Sequence, residues 1–255
     1  MMGLRPVVEI MTINFSLLAI DQIVNNAAKL RSLSGGQVSV PLVIRTPGGG
    51  GQQLSATHSQ NLEVFYAYVP GLKVVAPATC ADAKGLLAAA IRDDDPVLVL
   101  ENLALYNTKG EVPDGEHVAE IGRAAVLKPG RDITVVGYSR AAVIALDVAR
   151  KLEDDGISAE VIDLRSLRPL DRDTVCASVR KTSRAVIVRG RLAQLRRRRG
   201  ARRDDTGGRV RLPRRPGPAS RGRRGAAPYA KPLELAALPD AGAITRVIRQ
   251  TLGGN

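Results

Sequence analysis

Short runs of aliphatic and β-branched residues recur along the chain, and most are followed by a segment whose apolar positions fall at helical spacing. Residues 7–13 (VVEIMTI) read as a short buried strand. Asn14 and Ser16 can cap a following helix, in which Ile20, Ile23, Val24, Ala27 and Leu30 keep helical spacing. Ser34, Gly35 and Gly36 end it, and VSVPLVIR (38–45) predicts the next strand. A Gly-rich loop covers 46–51 and leads to a helix over 59–68. GLKVVAPAT (71–79) predicts a strand, 81–92 a helix and 96–101 a strand. Strands alternating with helices at this spacing predict an α/β layer with a mainly parallel sheet.

Residues 102–129 are polar and turn-rich and read as a linker with some strand. A second α/β unit follows, with strands over 132–139, 159–166 and 184–188. Its helices cover 140–153, with Val143, Leu146, Ala149 and Leu152 inward, and 171–182. The strands of both units are apolar along most of their length, as required when both sheet faces are covered. After Val188 neither period survives: residues 189–227 are mainly Arg, Gly and Pro. Order returns at PYAKPLELAALPD (228–240), and Asp240 caps a last helix through Ile244, Val247, Ile248 and Leu252. The pattern divides the chain into 1–102, a linker over 103–129 and 130–255, with 189–227 disordered.

Composition sharpens parts of this picture. Aromatic residues make up only 3% and Trp is absent, so Val, Leu, Ile and Ala must build the core. The net charge of +13 would suggest a nucleic-acid partner, but its location argues otherwise. Residues 189–227 hold 15 Arg against Asp204 and Asp205, which accounts for the whole excess. That stretch carries no aromatic residue and no recognition-helix pattern, so nucleic acid is a disfavoured partner. Cys80 and Cys176 offer neither a disulfide framework nor metal-site spacing, and no apolar run approaches the roughly 20 residues of a membrane span. The expectation is a soluble cytoplasmic protein.

Several segments carry a more specific message: GLRPVVEIMTINFSLLAIDQIVNNAAK (3–29), THSQNLEVFYAYVPGLKVVAPAT (57–79), DAKGLLAAAIRDDDPVLVLEN (82–102), EVIDLRSLRPLD (160–171) and PYAKPLE (228–234). In order and spacing the chain resembles the beta subunits of thiamine-diphosphate-dependent 2-oxo-acid dehydrogenases, with the pyruvate enzymes nearest. The branched-chain 2-oxo-acid and acetoin enzymes are the alternatives. The resemblance implies an α/β fold in which a pyrimidine-type thiamine-diphosphate-binding domain, truncated here, precedes a transketolase C-terminal-like domain. It implies an α2β2 heterotetramer whose alpha subunit holds the diphosphate and its magnesium, and which docks on a lipoyl-acyltransferase core. The reaction implied is oxidative decarboxylation of a 2-oxo acid with acyl transfer to a lipoyl group.

Residue by residue, the resemblance places His58 at the family's active-site histidine, where it stabilises the anionic adduct on the cofactor and assists proton transfer to the lipoyl sulfur. A loop histidine without a role is the competing reading. Met11 and Phe15 match residues that pack on the aminopyrimidine ring, with ordinary core packing as the alternative. A structural potassium ion is implied at Leu42, Ala90, Ile91, Asp93 and Asp95, largely through main-chain oxygens; otherwise Asp93, Asp94 and Asp95 form a solvated turn. The 48–51 glycines lack the Lys-Ser/Thr ending of a phosphate loop and read as a flexible connection near the site. Asp163 and Arg165 read as interface charges.

The chain departs from the family in two places. The family's first strand and helices, with the glutamate that activates the cofactor's aminopyrimidine, are expected upstream of the residue matching Met1. In place of the Arg-rich stretch the family has an acidic Gly-Trp motif and a Gly-rich helix start. One permitted codon choice for residues 189–200, read one base later, encodes Glu-Asp-Gly-Trp-Arg-Ser-Tyr-Gly-Val-Gly-Ala. These departures point to a compensated frameshift, and they equally suit a chain that keeps the family's pattern without its activity. Resequencing the gene decides the first point: the frameshift reading expects a shifted frame across 189–227, and an unbroken frame encoding the Arg run contradicts it.

Overall fold

The computed structural model describes residues 3–190, 227–238 and 240–253. The disorder expected within 189–227 falls almost wholly on 191–226, outside the described residues.

The first sheet contains four parallel strands: β1 (Val7–Glu9), β2 (Val43–Gly48), β3 (Lys73–Val75) and β4 (Val97–Asn102), in the order β1-β2-β4-β3. Successive side chains on a strand point to opposite faces. Ile44, Val74, Leu98 and Leu100 therefore pack on one side with Ile13, Tyr66 and Leu72, while Val43, Val75, Val97 and Val99 pack on the other with Leu86 and Ala90. β1 is an edge strand, and its Val7 and Val8 are half exposed, which corrects the expectation of a buried one. β2 runs on into the predicted glycine loop as far as Gly48, because it pairs with β4 over its whole length. β1 reaches only Arg45, so Pro47 lies where β2 has one neighbour and a missing N–H costs least.

The helix predicted after residue 14 is broken. Ile13–Ala19 is a 3-10 helix, Gln22–Ala27 a π-helix, and only α1 (Leu30–Leu33) is α-helical. Thr12 is the cap, not Asn14. Asn14 and Ser16 turn inward instead: Ser16 Oγ donates to the Ile13 carbonyl at 2.5 Å and receives the Tyr66 hydroxyl at 2.5 Å. The helix predicted over 59–68 shortens to α2 (Glu63–Ala67). By contrast α3 (Cys80–Arg92) forms close to prediction, capped by the Thr79 hydroxyl that accepts from Asp82 N.

The second sheet holds β5 (Ala125–Lys128), β6 (Ile133–Gly137), β7 (Ala159–Asp163) and β9 (Ala185–Ile187), in the order β5-β7-β6-β9. α4 (Arg140–Glu153) and α5 (Arg172–Thr182) form close to their predicted bounds. In α4 Ala149 and Leu152 are buried as expected, whereas Val143 and Leu146 are only partly so and Ala141, Ala145 and Val148 take core positions. α6 (Lys231–Ala237) and α7 (Ala241–Leu252) close the chain, with Ile244 and Ile248 packed among Val148, Ala149 and Leu152 of α4.

The strand predicted over 159–166 divides. β7 ends at Asp163, and β8 (Ser166–Arg168) pairs antiparallel with β3 of the first sheet. Arg165 makes the change of direction in the left-handed region, at φ +54. Its N–H donates to Asp163 Oδ1 at 3.1 Å, and its carbonyl accepts from Ala76 N at 2.7 Å. Its guanidinium Nη2 lies 2.6 Å from Asp82 Oδ1 at the start of α3, close in charge though not an aligned hydrogen bond.

Asp163 is fully buried, and burial pushes its carboxyl up to about 7 despite the Arg165 N–H; nearby Asp82 adds to the rise. A carboxyl that holds its proton more tightly when folded loses stability as pH rises from its unfolded pKa to its folded one. Asp163 therefore opposes folding increasingly from pH 4 to pH 7, by at most about 4 kcal/mol. Asp163→Asn keeps the acceptor for Arg165 N and removes the titration. Urea unfolding at pH 4, 6 and 8 should show a flatter profile for the variant and a stability gain at pH 8. Parallel profiles would contradict this.

Candidate functional site

His58 stands in the loop between β2 and α2, beyond the carboxyl end of β2, where open α/β sheets place their ligands. The ring is half-buried, with Thr57 Oγ1 2.8 Å from Nδ1. Nε2 makes no hydrogen bond among the described residues, which leaves it available to a ligand. Phe15 meets the ring edge-on, with centroids 5.0 Å apart and planes at 78°. Phe15 is 40% exposed and Met11 76%, so neither serves as ordinary core packing. The sequence-predicted Phe15 and His58 are thus brought together, with Met11 on the segment leading to Phe15.

The loop bearing His58 is held from both sides. After the histidine, Gln60 N donates to Asn14 Oδ1 at 3.0 Å, and Asn14 Nδ2 donates to Thr12 Oγ1 at 2.8 Å. Before it, Gly51 N and Gln53 N each donate at 2.9 Å to the two carboxylate oxygens of Glu234 on α6, a fully buried side chain. The glycine stretch is therefore anchored, not a free connection. Glu63, at the start of α2, is buried too, and receives the Tyr138 hydroxyl at 2.7 Å from the end of the second sheet. Its other oxygen and the hydroxyls of Thr46 and Ser59 have no hydrogen-bond partner among the described residues. A cavity of about 20 Å³ beside Glu63, Gly49, Leu100 and Tyr138 has room for one water. Asn14, Glu63 and Glu234 were missed as site residues because their contacts join segments far apart in sequence. Only the motif PYAKPLE drew attention to Glu234.

The potassium candidates lie at the other end of β2. Leu42 O accepts from Val97 N at 2.9 Å and Ala90 O from Asp93 N at 3.3 Å, while Arg5 Nη1 donates to Ile91 O at 3.3 Å and Asp93 O at 2.9 Å. The acidic turn is matched by cations rather than simply solvated: Asp93 pairs with Lys73, Asp94 with Arg5 and Asp95 with Arg31. Burial raises the Asp95 carboxyl, but Arg31 and Lys73 outweigh it and hold the group below the usual range. Beside this corner is a hollow of about 550 Å³ lined by Arg31, Lys73 and Arg168. Neither cavity includes His58. Among the described residues no three His, Cys, Asp or Glu side chains group to hold a metal, and no helix is long and apolar enough to cross a membrane.

Known proteins share both halves of this arrangement. Residues 1–109 match the transketolase pyrimidine-binding domain, and residues 122–195 match the transketolase C-terminal domain. A mitochondrial pyruvate dehydrogenase E1 component subunit beta-1 of Arabidopsis thaliana is 53% identical over 190 residues, covering 73% of this chain and 52% of that protein. The corresponding subunit beta of Rickettsia bellii is 50% identical over 186 residues, covering 73% and 57%. The chain carries both transketolase-type domains and is a homologue of pyruvate dehydrogenase E1 beta subunits. It spans about half the length of the curated relatives it matches. A split-gene transketolase solved as an inactive beta4 tetramer superposes with a TM-score of 0.62 at 26% identity, over 74% of this chain and 58% of that one. A transketolase mutant of Pichia stipitis shares the fold, with a TM-score of 0.55 at 18% identity over 74% and 27%. This E1 beta homologue therefore carries the two-domain architecture expected from its sequence.

Proposed function

We propose that the chain acts as the beta subunit of a thiamine-diphosphate-dependent 2-oxo-acid dehydrogenase, with pyruvate as substrate. The observation that carries this reading is the pairing of a half-buried histidine with an exposed apolar wall beyond the carboxyl end of β2, in a chain about 50% identical to pyruvate dehydrogenase beta subunits. The exposed Phe15 and Met11 suit the cofactor's flat aminopyrimidine, which would cover apolar surface that otherwise faces water. Thiamine diphosphate would supply the carbanion stabilisation that decarboxylation requires, with its diphosphate and magnesium on an alpha subunit. Thr57 and Phe15 contact the His58 ring, and its Nε2 would serve as the hydrogen-bond donor or proton carrier for the reacting group.

The wider assembly belongs to the same proposal: an α2β2 tetramer, a lipoyl-acyltransferase core as docking partner, transfer to the lipoyl disulfide, and cytoplasmic residence with Cys80 and Cys176 free. A potassium ion at Leu42, Ala90, Ile91, Asp93 and Asp95 would meet oxygen donors of a suitable kind. Since Arg5 already serves the Ile91 and Asp93 carbonyls, the ion would depend on their second lone pairs.

The test is an assay of the chain co-expressed with its cognate alpha subunit, with pyruvate, branched-chain 2-oxo acids and a lipoyl domain as acceptor. The proposal expects thiamine-dependent acylation fastest with pyruvate, and a loss of about 10²–10⁴-fold in His58→Ala. It also expects higher activity in potassium than in sodium salts. Preference for a branched-chain acid would move the substrate, an unaffected His58→Ala would remove the histidine's role, and no turnover with any acid would overturn the function.

A further inference from the structure

The Glu234 carboxylate joins two segments that the chain separates by 183 positions, and both of its oxygens are used on one loop. That loop is built from conformations that do not hold themselves. Gly49 and Gly51 sit at φ +95 and +103, and Gln53 and Ser55, which carry side chains, also lie in the left-handed region at φ +56 and +65. A side chain at Gly51 would come within 3.0 Å of Arg140 Nη1 and 3.3 Å of Leu238 Cδ1, so the backbone is drawn close against the start of α4 and the end of α6. Non-glycine residues keep such backbone angles only when their surroundings over-determine them. Two charge-assisted hydrogen bonds to a carboxylate that is fully buried provide that determination.

We infer that Glu234 is a positioning residue for His58. It fixes residues 51–53 from one side as Asn14 fixes Gln60 from the other, and the histidine lies between the two anchors. Losing only the Glu234 anchor frees the approach to His58 while leaving both sheets intact. The inference rests on the His58 reading for its consequence in turnover, but its physical content is the order of the loop.

It is therefore tested on the full chain without cofactor or substrate, so its outcome is separate from that of the activity assay. In Glu234→Ala, hydrogen exchange at the Gly51 and Gln53 amides should accelerate roughly tenfold to a hundredfold, while β2 and α7 amides keep their protection. Glu234→Gln retains one acceptor oxygen and should fall between the two. The chain has only two histidines, so His117 serves as an internal reference for the His58 imidazole in nitrogen-15 NMR. The His58 signals should shift or broaden in Glu234→Ala, recover in part in Glu234→Gln, and leave His117 unchanged. Three results would each overturn the inference: equal Gly51 and Gln53 exchange in wild type and Glu234→Ala, loosening of α7 by the same factor as the loop, or His58 signals indifferent to the substitution.

Discussion

Leu164 and Arg165 carry the chain out of one sheet and into the other, and the relation between the two halves depends on that step. β7 is a strand of the second sheet, and β8, which begins three residues after β7 ends, is a strand of the first. Without β8, β3 would present an open edge, a row of unpaired backbone groups that proteins ordinarily cover. The Ala76 N–H to Arg165 carbonyl bond and the pairing of Val74 with Arg168 and Val75 with Ser166 close that edge. The side chains at the junction add charge to the tie, since Arg165 reaches Asp82 and the buried Asp163 holds the Arg165 backbone.

The candidate site depends on the same union. Beside the β7–β8 crossing, hydrogen bonds run between the halves from Tyr138 to Glu63 and from the Gly51–Gln53 loop to Glu234. His58 and its apolar neighbour Phe15 come from the first sheet's connections, but the loop that carries His58 is closed by residues late in the chain. Among the described residues, the buried side-chain atoms left without a hydrogen-bond partner fall in two places: Thr46, Ser59 and Glu63 in this region, and Asp82, Asp163 and Arg165 at the β7–β8 junction. Burying a polar atom without a partner costs free energy, and such costs concentrate where a protein does more than fold.

Much of the architecture was legible because apolar period depends on local rules. The bounds of α4 and α7 could be read nearly residue by residue, and Ala149, Leu152, Ile244 and Ile248 meet in one core as expected, although Val143 and Leu146 are only partly buried and Val148 takes an inward place. What sequence could not show were outcomes decided by distant partners. β8 was hidden inside an apolar run that looked like one strand. The helix after Thr12 broke because Asn14 and Ser16 bond to Gln60 and Tyr66 instead of solvent. His58, Met11 and Phe15 were found through resemblance, and nothing in their spacing announces thiamine chemistry. Glu234 stood in a quoted motif, yet its role needed the fold, because a carboxylate has no local signature of the amides it will bind.

The two sheets form one structural unit, tied by β8 and by the contacts around His58. Scanning calorimetry of the full chain tests it most directly. A single transition, with the calorimetric enthalpy equal to the van't Hoff enthalpy, is the predicted result. Two resolved transitions, with the first sheet melting while α4, α7 and the second sheet persist, would contradict it.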